Sequence, residues 1–247
     1  QLILPPPGES IASMDQDKKL TKSHENQRVV ELAGDIGIER LGIMTSQAWY
    51  DDPRSLLFSL ARYKFVAKML KGKKNVLEVG CGDAFHSRLV QQEVEKLSVT
   101  DHDPLFIEDI NRRNPAKWKP VAFVHNMYDG PTKEAYDAIY LLDVLEHLDK
   151  KSESRFLGHI LESLDDEGML IVGMPSIQSQ QYASEISRQG HVNCKSGEEL
   201  RELLQPLCSQ LMIFSMNDEV VHTGFSPMAH YLIAVACIKK RDKKISS

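Results

Sequence analysis

The chain has 247 residues, 42% of them hydrophobic and 26% charged, with a formal net charge of −5. That length suits one sizeable α/β domain with extra helices and is short for two ordinary domains. No apolar run approaches the roughly 20 residues needed to span a bilayer. The negative balance argues against a broad nucleic-acid surface, which would need clustered Lys and Arg. Four widely spaced cysteines, Cys81, Cys194, Cys208 and Cys237, form no C-x-x-C pair, so zinc or redox pairing is not expected and a reducing cytoplasm fits.

Residues 1–26 open with Pro5-Pro6-Pro7-Gly8 and mixed charge and read as a flexible tail rather than a signal peptide. The opening Gln1 in place of a methionine implies that an original start has been removed. A single domain is expected over 27–240, with N-terminal helices in 27–70, an α/β core in 71–240 and a pocket-forming insertion near 177–195. Residues 241–247 form a basic, solvated tail. Apolar residues recur at helical intervals from Gln27 to Met44 and again from Ser55 to Leu70. Asn75 to Val79 is a short apolar run of the buried-strand kind. Phe85, Leu89, Val90 and Val94 mark a helix face, and Lys96 to Thr100 is a second strand.

Further strands are expected at Val121 to Val124, Ala138 to Leu142, Met169 to Val172, Leu211 to Phe214 and Tyr231 to Ile238. Short helices fall at Phe106 to Asn111 and Ser152 to Leu164, the latter followed by a solvated turn at Asp165-Asp166-Glu167-Gly168. Ser196-Gly197-Glu198-Glu199 has the form of a capping box and opens a helix through Leu204. The sum is a doubly wound, mostly parallel, seven-stranded sheet.

Val76-Leu77-Glu78-Val79-Gly80-Cys81-Gly82-Asp83 runs from a strand into a glycine turn and then a helix. Glycine permits positive φ and close backbone approach to a ligand. A dinucleotide fingerprint would place a third glycine where Phe85 stands, and a pyrophosphate would gain nothing from Glu78. S-adenosylmethionine has no pyrophosphate and carries an ammonium group that an acidic strand end attracts. Asp101 follows Gly82 by 19 positions at the end of the next strand, close to the spacing at which a carboxylate meets ribose hydroxyls; the competing reading is a cap on the following turn.

Four segments carry a family resemblance: V-L-E-V-G-C-G, the acidic loop V-T-D-H-D-P, Y-D-A-I-Y-L-L-D-V-L-E-H-L from Tyr136 to Leu148, and E-G-M-L-I-V-G-M-P. Over about Asn75 to Ser176 the chain resembles the class I S-adenosylmethionine-dependent methyltransferases, in particular the small-molecule branch of types 11 and 12. The resemblance implies that Gly80, Cys81 and Gly82 lie against the methionine part of the cofactor, with Asp101 on the ribose and His102 beside the adenine. Asn126 and Met127 would flank the adenine, many relatives having Asp at the position of Asn126. Leu142 would touch the methionine part through its backbone, with Asp143 near the methyl group, and Arg62 or Lys64 would hold the cofactor carboxylate. Glu146 and His147 are expected to serve structure, and no metal constellation emerges from the spacing.

Ligands in such sheets sit beyond the carboxyl ends of the strands, which points to Gln181 to Asn193 and Val221 to His230 as the acceptor side. His191 and then His222 are the candidates to take a proton from the acceptor, ahead of His230. Trp49 and Tyr50 form either a lid or a packed aromatic pair. The expected activity is methyl transfer to an oxygen or nitrogen of a small molecule or sugar, without nucleic acid as partner. The alternatives are a methyltransferase acting on protein or RNA and a non-catalytic cofactor-binding protein.

Overall fold

The computed structural model describes residues 21–113 and 118–238. The tail expected over 241–247 and most of that over 1–26 fall outside the described residues. The chain divides into two compact units, Gln1–Glu39 and Arg40–Ser247. The first contains α1 (Gln27–Ile36), which ends where Gly37 takes a φ of 77°. The helical pattern from Gln27 to Met44 is therefore interrupted: a left-handed glycine closes one helix, and the next, α2 (Ile43–Asp51), belongs to the second unit.

In that unit α3 (Pro53–Met69) begins with Pro53 in its first turn and with the Asp52 side chain accepting from Arg54 N. There follow β1 (Asn75–Val79), α4 (Arg88–Gln91), β2 (Lys96–Asp101), α5 (Pro104–Arg113), β3 (Val121–Val124), β4 (Tyr136–Leu142), α6 (Glu153–Glu162), β5 (Leu164–Pro175), α7 (Glu185–Gly190), α8 (Gly197–Leu204), β6 (Cys208–Asn217), β7 (Val220–His222) and β8 (Tyr231–Ile238). Helix α4 is shorter than its apolar pattern suggests. The chain leaves it early so that Gly72 N can donate to Glu93 O at 2.8 Å and Glu95 N to Lys73 O at 2.9 Å, which aligns β2 beside β1.

The sheet has eight strands in the order β3-β2-β1-β4-β5-β8-β6-β7. Five run parallel from β3 to β5; β8 is antiparallel to β5 and β6, and β7 is antiparallel to β6. Seven strands were expected; the eighth is β7, only three residues long, too short to show period-2 alternation and formed because it hairpins onto β6. The turn expected at Asp165–Gly168 is an exposed bulge inside β5: the register passes from Tyr136↔Leu164 to Ala138↔Met169, and Glu167 has a φ of 65°.

Alternate residues of the central strands feed two cores. Leu77, Ile139, Leu141, Leu170 and Val172 pack with Phe156 and Ile160 of α6 and Leu200 and Leu204 of α8. Val76, Ala138, Tyr140 and Ile171 pack with Val66 of α3, with Leu70 just past its end, and with Ile107 and Ile110 of α5. Helices thus cover both faces, which is why these strands read as nearly unbroken apolar runs. Among the described residues no helix is long and apolar enough to cross a membrane, and the four cysteines form no disulfide.

A buried polar network fastens the segment after α7 to the turn after β4. Asn193 N donates to Glu146 O at 2.9 Å, Asn193 Nδ2 donates to Glu153 Oε1 at 2.9 Å, and Lys195 Nζ reaches Glu153 Oε1 at 2.8 Å with both side chains buried. The expected capping box of α8 is present, with Glu199 N donating to Ser196 Oγ at 3.2 Å and Ser196 N to Glu199 Oε2 at 2.8 Å. Breaking a buried pair from one side leaves an uncompensated charge. Lys195→Met should therefore lower the unfolding free energy by about 3–5 kcal/mol in urea titration, and adding Glu153→Gln should recover part of the loss.

Candidate active site

The strand order reverses between β1 and β4, and the crevice at their carboxyl ends is where this topology places a ligand. Gly80 and Cys81 both donate backbone N–H to Thr100 O, at 2.8 and 3.0 Å, so the glycine loop is hung on the end of β2. Gly80 has a φ of 73° and Gly82 of 50°. A Cβ at Gly80 would collide with Val144 Cγ2, and one at Gly82 would fall 2.7 Å from Met44 Sδ. Glycine is needed here for both conformation and space.

Asp101 Oδ2 accepts from Gly82 N at 3.0 Å and Oδ1 from Asp103 N at 3.0 Å, so its carboxylate joins the glycine loop to the turn after β2. The turn-capping bond is thus real. A carboxylate has about four lone-pair positions, and two remain for hydroxyl donors. His102 lies beside it, largely exposed, with Nδ1 3.3 Å from Asp101 Oδ1. Asn126 Oδ1 accepts from Tyr128 N at 3.0 Å and closes the turn after β3, while the Met127 side chain is buried in the core rather than turned outward. Leu142 ends β4 with its side chain packed against Gly173.

Glu78 lies beneath the loop and is 1% exposed. The Tyr63 and Tyr140 hydroxyls donate to its two oxygens at 2.6 and 2.7 Å, so both are occupied by phenols. Burial pushes its pKa up to about 7 from an ordinary 4.5. Cys81 is buried and its thiol is pushed well up by burial and by the nearby Glu78 and Asp101 charges, so it is not a thiolate nucleophile.

Several members of the site come from residues far apart in sequence. Asp83 is buried; it accepts from Thr45 N at 2.8 Å and from Thr45 Oγ1 at 3.0 Å, clamping the first turn of α2 over the glycine loop. Trp49 and Tyr50 on that helix are both exposed and do not form a packed pair. Arg62 on α3 donates to Asp143 Oδ1 and Oδ2 at 3.1 and 2.9 Å, and its guanidinium lies 3.8 Å over the Tyr231 ring. Arg62 Nε is buried without an acceptor among the described residues, a donor that a ligand carboxylate would satisfy. Lys64, the alternative cation, is exposed one position beyond Tyr63.

Beside Arg62 opens a cavity of about 420 Å³ whose walls include Gln180, Tyr182, His191, His230 and Tyr231. Of the two expected acceptor stretches, the first supplies Tyr182, Ala183, Ser187 and His191 to the wall and the second contributes His230; Ser179 and Gln180 lie just ahead of the first. His191 Nδ1 meets Gln180 Oε1 at 3.0 Å, and burial followed by the neighbouring His147 lowers its pKa, which keeps the imidazole neutral. His222 is elsewhere: its Nε2 meets Asn217 Oδ1 at 2.9 Å and its Nδ1 accepts from Gly224 N at 2.9 Å, so both ring nitrogens serve the β6–β7 hairpin. The structure also brings Glu146, His147 and His191 together, with ligand-capable atoms all within 4.8 Å of one another. Glu146 is fully buried, and burial and the Asp143 carboxylate push its pKa well above the usual carboxylate range. Residue spacing gives no sign of this group, because 44 positions separate His191 from His147.

A parallel sheet with this switch point, a glycine loop after β1 and a carboxylate at the end of β2 define a nucleoside-binding enzyme of the Rossmann-like kind. The family described as "Methyltransferase domain" matches residues 50–206, and the chain belongs to it as an S-adenosylmethionine-dependent methyltransferase, with S-adenosylhomocysteine as product. Similar solved structures include the methyltransferase domain of bacterial CtHen1, with TM-score 0.62 and 16% identity over 74% of this chain and 99% of that one. The N-methyltransferase NodS of Bradyrhizobium japonicum, solved with S-adenosyl-L-homocysteine, has TM-score 0.55 and 19% identity over 77% of this chain and 90% of that one. The CurJ carbon methyltransferase has TM-score 0.59 and 14% identity over 80% of this chain and 58% of that one. At these identities the likeness is one of fold. No curated protein sequence matches the chain.

Two measurements check the site. Asp101→Ala should weaken S-adenosylhomocysteine binding at least tenfold by isothermal titration, equivalent to about 1.4 kcal/mol. For Glu78, the unfolded chain ionises near 4.5 and the folded chain near 7. Its stabilising effect is therefore fully present below pH 4.5 and is lost as pH rises through 7, by up to about 3 kcal/mol. Across that window the stability difference between wild type and Glu78→Gln should shift in favour of the variant, as read by denaturant unfolding at stepped pH.

Proposed function

We propose that this methyltransferase alkylates an oxygen or nitrogen of a small hydroxylated molecule or sugar bound in the cavity beside Arg62. The observation that carries this reading is the lining: amide, hydroxyl and imidazole groups of Ser179, Gln180, Tyr182, Ser187, His191 and His230 around a space of about 420 Å³. Such a wall matches many hydrogen-bonding groups on a compact ligand, and the volume is that of an ordinary small-molecule site. Arg62 is its single Lys or Arg side chain, and the net charge of −5 also speaks against a phosphate-rich polymer as acceptor.

In this reading Gly80, Cys81 and Gly82 hold the methionine part of the cofactor, Asp101 the ribose, and Arg62 the carboxylate through its unsatisfied Nε–H. His102 and Asn126 border the adenine, and Leu142 contributes backbone. S-adenosylmethionine supplies the electrophilic methyl group. The protein aligns the acceptor atom with that methyl and excludes water, and such positioning is worth effective molarities on the order of 10⁵ M or more. For a hydroxyl acceptor the bond to carbon forms as the sulfur–carbon bond breaks, and the displaced proton passes to the His191 side of the cavity. The Nδ1 contact with Gln180 puts the proton of the neutral ring on Nδ1 and leaves the Nε2 lone pair for this role.

The test is incubation of the full chain with methyl-labelled S-adenosylmethionine and a panel of sugars, small alcohols and amines. Label transfer to one of these, with His191→Ala lowering kcat about 100-fold while leaving S-adenosylhomocysteine affinity unchanged, is the expected result. Transfer confined to protein or RNA, or cofactor binding without turnover on any acceptor, would refute the proposal.

A further inference from the structure

We propose that Glu146, His147 and His191 form a binding site for a divalent first-row transition ion at the edge of the acceptor cavity. Their donor atoms lie within 4.8 Å of one another. Ligands about 2.1 Å from one ion stand roughly 3.4 Å apart in a tetrahedron, so closure of up to about 1.4 Å is required. Rotation of the exposed His147 ring, whose centroid is 5.1 Å from that of His191, is the natural way to supply it.

Two observations independent of proximity point to an ion. First, both Glu146 oxygens are buried with no hydrogen-bond partner among the described residues. A buried carboxyl without donors is costly, and a cation is the partner that removes the cost. Second, each imidazole already engages an oxygen through Nδ1: His147 with Gly190 O at 2.9 Å and His191 with Gln180 Oε1 at 3.0 Å. Gln180 Nε2 donates to Ser176 O at 3.3 Å, which fixes its amide with Oε1 toward the histidine. This is the outer-shell pattern of metal-bound histidines, in which Nδ1–H is donated to an oxygen and Nε2 keeps its lone pair for the ion.

The mounting is rigid. Asn193 N donates to Glu146 O at 2.9 Å, so the backbone that carries His191 is fastened to the turn that carries the other two donors. Two imidazoles and one carboxylate suit Zn²⁺, Mn²⁺, Fe²⁺ or Co²⁺ better than Mg²⁺ or Ca²⁺, which favour oxygen donors. Three protein donors leave coordination positions open, as in catalytic rather than structural sites. His191 is also part of the cavity wall, so an open position there would face the acceptor. With Nε2 held by the ion, the ion rather than the free His191 lone pair would act on an acceptor hydroxyl, by lowering its pKa directly. Only this last role rests on the proposed acceptor chemistry; the site itself does not.

The experiment is titration of the chelator-stripped full chain with Mn²⁺ and, separately, Zn²⁺, followed by isothermal calorimetry with no acceptor present. One ion per chain is expected, with His147→Ala, His191→Ala and the isosteric Glu146→Gln each weakening binding at least tenfold. Unchanged S-adenosylhomocysteine affinity in the two histidine variants reports that they are folded, so the result stands even if Glu146→Gln is unstable. Absence of saturable uptake by wild type, or uptake unaltered in both histidine variants, overturns the site and leaves the acceptor assignment untouched.

Discussion

Glu78 receives the hydroxyls of Tyr63 and Tyr140 at 2.6 and 2.7 Å inside the core, and this bridge sets the geometry of the whole cleft. Tyr63 belongs to α3 and Tyr140 to β4, so one carboxyl at the end of β1 locks a helix outside the parallel sheet to the two strands that flank the switch point. Arg62 precedes Tyr63, and its guanidinium is thereby delivered to Asp143 at the end of β4. Asp143 sits at a φ of 56°, a conformation uncommon for a residue with a side chain, and the ion pair with Arg62 is among the contacts that hold it there. From this single anchorage follow the floor of the glycine loop, the cation beside the cavity, and the turn that presents Glu146 and His147.

The glycine-loop half of the crevice is built mainly from backbone. Positive φ at Gly80 and Gly82, amides hung on Thr100 O, and the Asp101 bond to Gly82 N all arise within one β-α-β stretch. Local geometry of this sort leaves a strong imprint on sequence, which is why the glycine turn, the acidic residue after β2, the bounds of β1 and β3 and the capping box of α8 are all legible before any coordinates. The strands are legible because both faces of the parallel sheet are covered, so their apolar runs are unbroken.

What the sequence does not disclose is decided by contacts between distant segments. Thr45 meets Asp83 across 38 positions, Arg62 meets Asp143 across 81, and Asn193 meets Glu153 across 40. Nothing in the local pattern of either partner announces the other. β7 is invisible for a related reason: three residues carry no periodicity, and it exists only because β6 offers an edge. His191 and His222 look alike as isolated histidines, yet one stands in the cavity wall and the other has both nitrogens consumed by a hairpin. Surroundings, not residue type, separate an imidazole that lines a cavity from one consumed by a turn.

The cavity beside Arg62 is made the opposite way, from side chains on the segment between β5 and α8 and on the approach to β8. Those side chains can change without disturbing the sheet, since the segment is fixed at its far end by a compact buried network of Asn193, Lys195 and Glu153. A charged network buried beneath a loop adds little net stability compared with apolar packing. Its physical advantage is register: Asn193 and Lys195 find their partners in only one alignment, and that alignment sets His191 beside His147 and Glu146. The placing of His191 in the cavity wall therefore depends on a constraint outside the cavity, where ligand and solvent do not compete for the same hydrogen bonds.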